Sequence, residues 1–259
     1  MSSTYMQLTS SVEPVYNKID NLQAIYESLV LKYDFLGGIY IMSLSNNVTL
    51  TDSLMVKDIA MIKRQQRRNF IYSNTSMKEL RREYSVKAIK HEPNMKAYMS
   101  SNFAIFSYEG SNENTDICRK VLNKYNIRSR LFYRYENPEY TEFSAEFFLM
   151  SKRHPRELEA FVNTIKPELI DRLENFHRQV FFSRTVSHLN PLIEMGVVSN
   201  KGKRILELLS EGHSRTQIGE TLFLTERGVD YHVTKLKILL DAKNNAQLVA
   251  NAFKYKIIC

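Results

Sequence analysis

The residues best arranged for chemistry lie near the C-terminus, and the chemistry is recognition rather than bond-making. Val229, Val233, Leu236 and Leu240 recur at helical spacing and put one apolar stripe on a helix. The opposite face carries Arg227, Asp230, Tyr231, Thr234, Lys235 and Lys237. Cationic heads answer phosphates, while hydroxyl, phenol and guanidinium groups can read base edges in a major groove. Position divides the set. Arg227, Tyr231, Thr234 and Lys235 lie on the exposed face of the helix, where base edges would be. Lys201, Lys203, Arg215 and Lys237 lie largely at element edges, where phosphates would be. No catalytic constellation competes with this one. The six histidines are scattered, with His154, His177 and His188 in a helix and a connector, and none pairs with a cysteine at metal or nucleophile spacing. No phosphate-cradling glycine pattern occurs either. The expectation is a protein that is not an enzyme and holds no metal and no cofactor.

Four short helices must position those residues. Ile205, Leu206, Leu208 and Leu209 form the apolar side of the first, which Glu211-Gly212 ends, glycine being the usual residue of a left-handed C-terminal cap. Ser214 is placed to cap a second helix, with Gln217 three residues on as in a capping box and Ile218 facing inward. Leu222-Phe223-Leu224 makes an apolar turn, and Thr225 caps the third helix, which runs to about Leu240. A short helix, a tight turn and a longer helix with a basic outer face make a helix-turn-helix.

The segment resembles the DNA-binding domain of LuxR-type regulators. Val198-Ser199, Ile205-Leu206, Gly212, Gln217-Ile218, Leu222, Leu224-Thr225, Val229, His232, Leu236, Asn244-Asn245 and Gln247 take the places of that family's pattern. Gly202, Gly228 and Lys235 depart from it, standing where the family has Glu, Thr and Asn. The resemblance covers about a quarter of the chain and implies double-stranded DNA as a partner. One recognition helix reads too few base pairs for a useful specificity ratio, so a homodimer on an inverted repeat is expected. Leu248, Val249, Ala252 and Phe253 in the last helix are the expected pairing stripe.

Composition agrees with a globular protein that meets a polyanion. Of 259 residues, 43% are hydrophobic and 25% charged, and the net charge is +8 with a pI near 9.3. Two cysteines, Cys118 and Cys259, give no disulfide framework, which suits a reducing cytoplasm. No apolar run approaches the length of a membrane span, and MSSTYMQLTSS has no signal-peptide order, so a cytoplasmic location and no membrane partner are expected.

The remaining chain reads as helices alternating with strands. Val15 to Tyr33 predicts an amphipathic helix and Gly38 to Leu44 a strand. A helix over Ser53 to Arg68 ends in the basic cluster Lys63, Arg64, Arg67 and Arg68, read as a solvated face. Phe70-Ile71-Tyr72 is a short strand, Ser76 a candidate cap, and Met77 to His91 a helix ending before Pro93. Phe103 to Tyr108 is a short apolar segment, Thr115 to Tyr125 a helix, and Arg130 to Tyr135 and Tyr140 to Met150 a hairpin. Pro155 opens a long helix to about Phe182 that Pro167 should kink. The fold class is therefore α+β. Residues 1–182 form a three-layer α/β/α domain with a mainly antiparallel sheet, residues 183–197 a linker, and residues 198–259 the all-α helix-turn-helix domain.

Element order and linker placement resemble the acyl-homoserine-lactone-binding domain of the same family, which implies an autoinducer-binding and dimerisation domain for a quorum-sensing regulator. That family lines its pocket with a Trp, a Tyr, an Asp-Pro pair and a second Trp. This chain has no Trp. The matching places fall on Leu80, Tyr84, Glu92-Pro93 and Tyr108. The resemblance implies that Glu92 accepts the amide hydrogen of an N-acyl homoserine lactone while Tyr84 and Tyr108 form an aromatic wall. Leu80 cannot donate, so the lactone carbonyl needs Tyr84, Tyr72 or an arginine. A phosphorelay reading fails because the first strand ends Met42-Ser43-Leu44-Ser45, without a phosphoacceptor Asp. Two readings stand: a lactone receptor coupled to DNA binding, and a DNA-binding module whose N-terminal domain dimerises or docks a regulatory protein or RNA polymerase.

Overall fold

A computed structural model describes residues 15–44, 70–138, 143–183, 187, 189–194 and 196–259. The predicted helix over 53–68, with Lys63, Arg64, Arg67 and Arg68, lies outside the described residues, as does His188. Among the described residues no helix is long and apolar enough to cross a membrane.

Helix α1 (Val15–Lys32) leads into β1 (Gly37–Leu44), and β2 (Ile71–Tyr72) precedes α2 (Thr75–Lys87). The cap of α2 is Asn74, not Ser76. Its side chain, on extended backbone, accepts from Met77 N at 3.1 Å, as Asx residues do at N-caps. The helix also stops earlier than the sequence suggests. Residues 89–91 tighten into a 3₁₀ turn ahead of Pro93, whose ring disfavours helical backbone before it. A short helix α3 (Met95–Ser100), too brief to show a period in sequence, leads to β3 (Phe103–Ser107). Helix α4 (Glu113–Asn123), β4 (Ser129–Glu136), β5 (Phe143–Ser151) and α5 (Pro155–Phe181) follow. Helix α5 runs on with Pro167 inside it.

The sheet has five strands in the order β2-β1-β5-β4-β3, and every neighbouring pair is antiparallel. Alternation sorts its side chains between two cores. Tyr40, Met42, Leu131, Tyr133, Phe147 and Leu149 face α1 and α5, while Ile39, Phe106, Phe132 and Met150 face α2 and α4. The first core is aromatic and tightly closed. Tyr26 stacks on Phe176 at 4.8 Å, and a Cβ on Gly38 would sit 2.5 Å from the Tyr26 hydroxyl, so only glycine lets α1 approach β1 this closely. Each buried aromatic there contributes about 1.5–3 kcal/mol of burial. The domain is the expected three-layer α/β/α sandwich on an antiparallel sheet.

The C-terminal part contains α6 (Pro191–Glu194), α7 (Asn200–Ser210), α8 (Arg215–Leu222), α9 (Glu226–Leu239) and α10 (Asn245–Lys254). Helices α7 to α10 carry N-caps in Ser199, Ser214, Thr225 and Asn244, with the Ser214–Gln217 capping box formed on both sides. Gly212 ends α7 at φ +85°, the left-handed geometry expected of it. Within the segment read as a linker, Leu189, Asn190 and Leu192 are buried and α6 forms. The chain there is packed rather than bare.

Candidate ligand pocket and nucleic-acid interface

A cavity of about 360 Å³ lies between the sheet and the layer formed by α2, the 3₁₀ turn and α3. Ile39, Ile41, Phe106, Phe148 and Met150 give it an apolar floor, and Ile89 and Met95, each 41% exposed, mark its solvent side. Its size fits a small molecule. Its polar lining includes Tyr84, Glu92, Tyr98, Arg130 and Glu146, and the two carboxylates are each ion-paired to an arginine of β4, Glu92 to Arg130 and Glu146 to Arg134, which itself lies off the lining.

In the first pair Arg130 binds Glu92, and both side chains are more than nine-tenths buried. Glu92 is filled from several sides. Tyr84 donates to its Oε2 at 2.5 Å, Tyr108 donates at 3.2 Å, and the Asn94 backbone N–H and side-chain amide donate to Oε1 at 3.0 and 2.9 Å. A carboxylate has about four lone-pair directions, so these donors and Arg130 use all of them. Burial pushes the Glu92 carboxyl upward, but the Arg130 charge and the bonds from Tyr84 and Asn94 win and hold it below 4.5. Burial pushes the Tyr84 phenol well up, which keeps it a donor. The Arg130 guanidinium lies 4.8, 5.0 and 5.5 Å from the ring centroids of Tyr84, Tyr108 and Phe106. Its Nη2 also reaches the Tyr84 hydroxyl, whereas its Nε is buried with no partner among the described residues.

In the second pair Arg134 reaches Glu146 from Nε and Nη2, each at 3.3 Å, and Tyr98 donates to Glu146 at 2.9 Å. Buried ion pairs are poor sources of stability, because the cost of dehydration rivals the attraction. Charged groups gathered in a cleft are candidates for binding.

The sequence-selected residues divide here. Tyr84 and Glu92 line the cavity, and Tyr108 joins them through Glu92. Leu80 is buried in the core on that side of the sheet and does not line the cavity. Tyr72 is half-buried on β2, 5.8 Å from Phe70, also off the lining. Arg130 and Glu146 were missed. Their signal is alternation: Arg130, Phe132 and Arg134 share one face of a strand whose other face is apolar.

The second surface belongs to α9. Val229, Val233, Leu236 and Leu240 are buried as the stripe requires, and Arg227, Tyr231, Thr234 and Lys235 are exposed. Lys201 is exposed on α7; burial first, then the Lys201 and Lys235 charges, lower the His232 pKa. Arg215 is paired with Asp230, linking α8 to α9. Lys237 is half-buried. Lys203 is engaged elsewhere, donating to Ser187 at 3.0 Å. Leu248 and Ala252 are spent on the domain's own core, so the expected pairing stripe shrinks to half-buried Val249 and Phe253, which is 42% exposed. The two parts of the chain meet at the C-terminal tail. Asn190 donates to the Tyr255 and Lys256 carbonyls at 2.7 and 2.9 Å, and Lys256 lies 5.0 Å from the Phe181 ring.

The capped bundle with an exposed basic third helix is a helix-turn-helix DNA-binding domain. Residues 197–252 match the GerE family, described as bacterial regulatory proteins, luxR family, so the chain carries a LuxR-type domain at its C-terminus. No curated protein matches the chain. Among solved structures it is similar to Escherichia coli SdiA at 12% identity, covering 94% of this chain and 96% of that one with a TM-score of 0.38. It is also similar to SdiA in complex with octanoyl-rac-glycerol at 12% identity, covering 98% and 99% with a TM-score of 0.36.

Proposed function

We propose that the chain is a ligand-responsive DNA-binding transcriptional regulator of the quorum-sensing type. It takes an N-acyl homoserine lactone into the cavity of the sheet domain and a palindromic operator onto a homodimer of the α9 surface. The observation that carries the reading is the cavity itself: an apolar floor with a few buried polar groups, in the same chain as a LuxR-type domain. Arg227, Tyr231, Thr234 and Lys235 enter the groove, and Lys201, Arg215 and Lys237 meet phosphates. Lys203 joins them only by leaving Ser187.

The saturated Glu92 carboxylate favours a second reading, in which the N-terminal domain is a self-contained dimerising or docking module for a regulatory protein or RNA polymerase. Thermal unfolding of the full chain with N-hexanoyl, N-octanoyl and N-decanoyl homoserine lactone separates the two. A ligand at a hundred times its Kd stabilises by about 2.7 kcal/mol, a clear rise in Tm. No rise with any lactone favours the docking module. Sedimentation showing only monomer on operator DNA contradicts the dimer.

A further inference from the structure

We propose that the cavity recognises its ligand through a donor, Arg130, and that Glu92 is a positioning residue that makes no ligand contact. The occupant is thereby a molecule that presents a carbonyl or carboxylate oxygen on an apolar chain. This rests on the receptor reading and specifies its chemistry.

The Glu92 lone pairs are already taken. Tyr84, Tyr108, Asn94 and Arg130 use its oxygens, so a ligand N–H could bind there only by displacing one of them. Such an exchange trades one charge-assisted bond for another and gains little. Arg130 is differently placed. Arg130 lines the cavity, and its guanidinium is held by Glu92 and by the Tyr84, Tyr108 and Phe106 rings. Its Nη2 serves Glu92 and Tyr84 and its Nε is enclosed, but its Nη1 has no hydrogen-bond partner among the described residues and is the donor left for a ligand oxygen. The neighbouring wall is Ile39, Ile41, Phe148 and Met150, which suits an aliphatic chain. With Glu92 neutralising Arg130, the ligand oxygen need not carry a charge. Amide, ester and carboxylate heads all satisfy the site.

A neutral series on the wild-type full chain tests this by calorimetry. It uses N-octanoyl homoserine lactone, its ester isostere with the N–H replaced by oxygen, and its ether analogue without the acyl carbonyl, with octanoic acid as a separate arm. The ester is expected to bind within about threefold of the amide and the ether about tenfold or more weaker, because only the ether lacks the acyl carbonyl that Arg130 binds, the lactone carbonyl being common to all three. Octanoic acid binding as tightly as the amide identifies a fatty acid as the source of the oxygen, and weaker binding identifies the lactone; both agree with Arg130 as donor. If the amide binds and the ester falls with the ether, Glu92 takes the N–H, and the inference is overturned while the receptor reading stands. If nothing in the series binds, both fall. Arg130→Lys should weaken amide and ester about tenfold and leave the ether unchanged. A folded Arg130→Lys protein with unaltered amide binding also overturns the inference. The wild-type series decides even if that variant does not fold.

Discussion

Replacing Glu92 by Gln removes the countercharge from a guanidinium that is almost wholly buried. Arg130 is 7% exposed, and the Glu92 and Arg130 side chains are 5% and 8% exposed, so water cannot compensate the loss. The substituted amide would keep one acceptor oxygen, but its NH₂ would face donors from Asn94 or the two tyrosines. Breaking one side of such a pair costs about 3–5 kcal/mol, whereas replacing both sides by neutral groups is often close to neutral. Glu92→Gln should therefore cost about 3–5 kcal/mol, and the double substitution of Glu92→Gln with Arg130→Met clearly less, with a favourable coupling of about 2 kcal/mol or more. Urea titration followed by tyrosine ellipticity suits a chain with 15 Tyr and no Trp. The sign of the acid dependence follows from the depressed carboxyl. The contribution of Glu92 is full above 4.5 and is lost as the pH falls through its lower folded value, so Glu92→Gln should flatten that part of the acid limb. If the two substitutions add, or the double variant is the least stable, the pair is not a mutually neutralising unit.

Three further outcomes follow. His177 is buried against Tyr40, and burial lowers its pKa to about 4 from 6.5, so unfolding takes up a proton between those values. The stability it protects is complete above 6.5 and declines as the pH falls toward 4, and His177→Gln should remove that slope in urea titrations across the range. Gly212→Ala forces a side chain into φ +85° with no compensating contact, and should cost about 1–2 kcal/mol in thermal unfolding of the C-terminal domain; an unchanged Tm refutes the cap. Lys237→Ala should weaken binding alike on all DNA sequences and lower the salt slope by about one unit. Altered base preference with an intact slope would place it in the groove instead.

What the sequence made legible was local. The Ser214–Gln217 box, the Gly212 terminator and the α9 stripe each depend on residues within a few turns, and each is present in the structure. Strand β1 showed through a run rich in β-branched and aromatic residues, and β4 and β5 as a hairpin around Glu136-Asn137-Pro138. The misses were either short or non-local. Helix α3 has only 6 residues, too few for a period. The cap of α2 fell on Asn74 rather than on Ser76, because the extended backbone that a cap requires lies there. Arg130 meets Glu92 across 38 positions, so the pair is invisible to any window of the chain. Tyr84, Glu92 and Tyr108 were selected as ligand contacts, and the structure gathers them; what their spacing could not show is that they bind one another. Leu248 and Ala252 were read as a partner surface because a stripe does not say which core it serves.

The central claim is coupling between the cavity and α9. Its most direct measurement is the affinity of the full chain for an operator selected from random DNA, at fixed salt, with and without saturating N-octanoyl homoserine lactone. Selection of an inverted repeat is predicted, with a lactone-dependent change in Kd of about fivefold or more, the scale of ordinary allosteric coupling. The same Kd in both conditions, with the lactone shown to be bound, would contradict it.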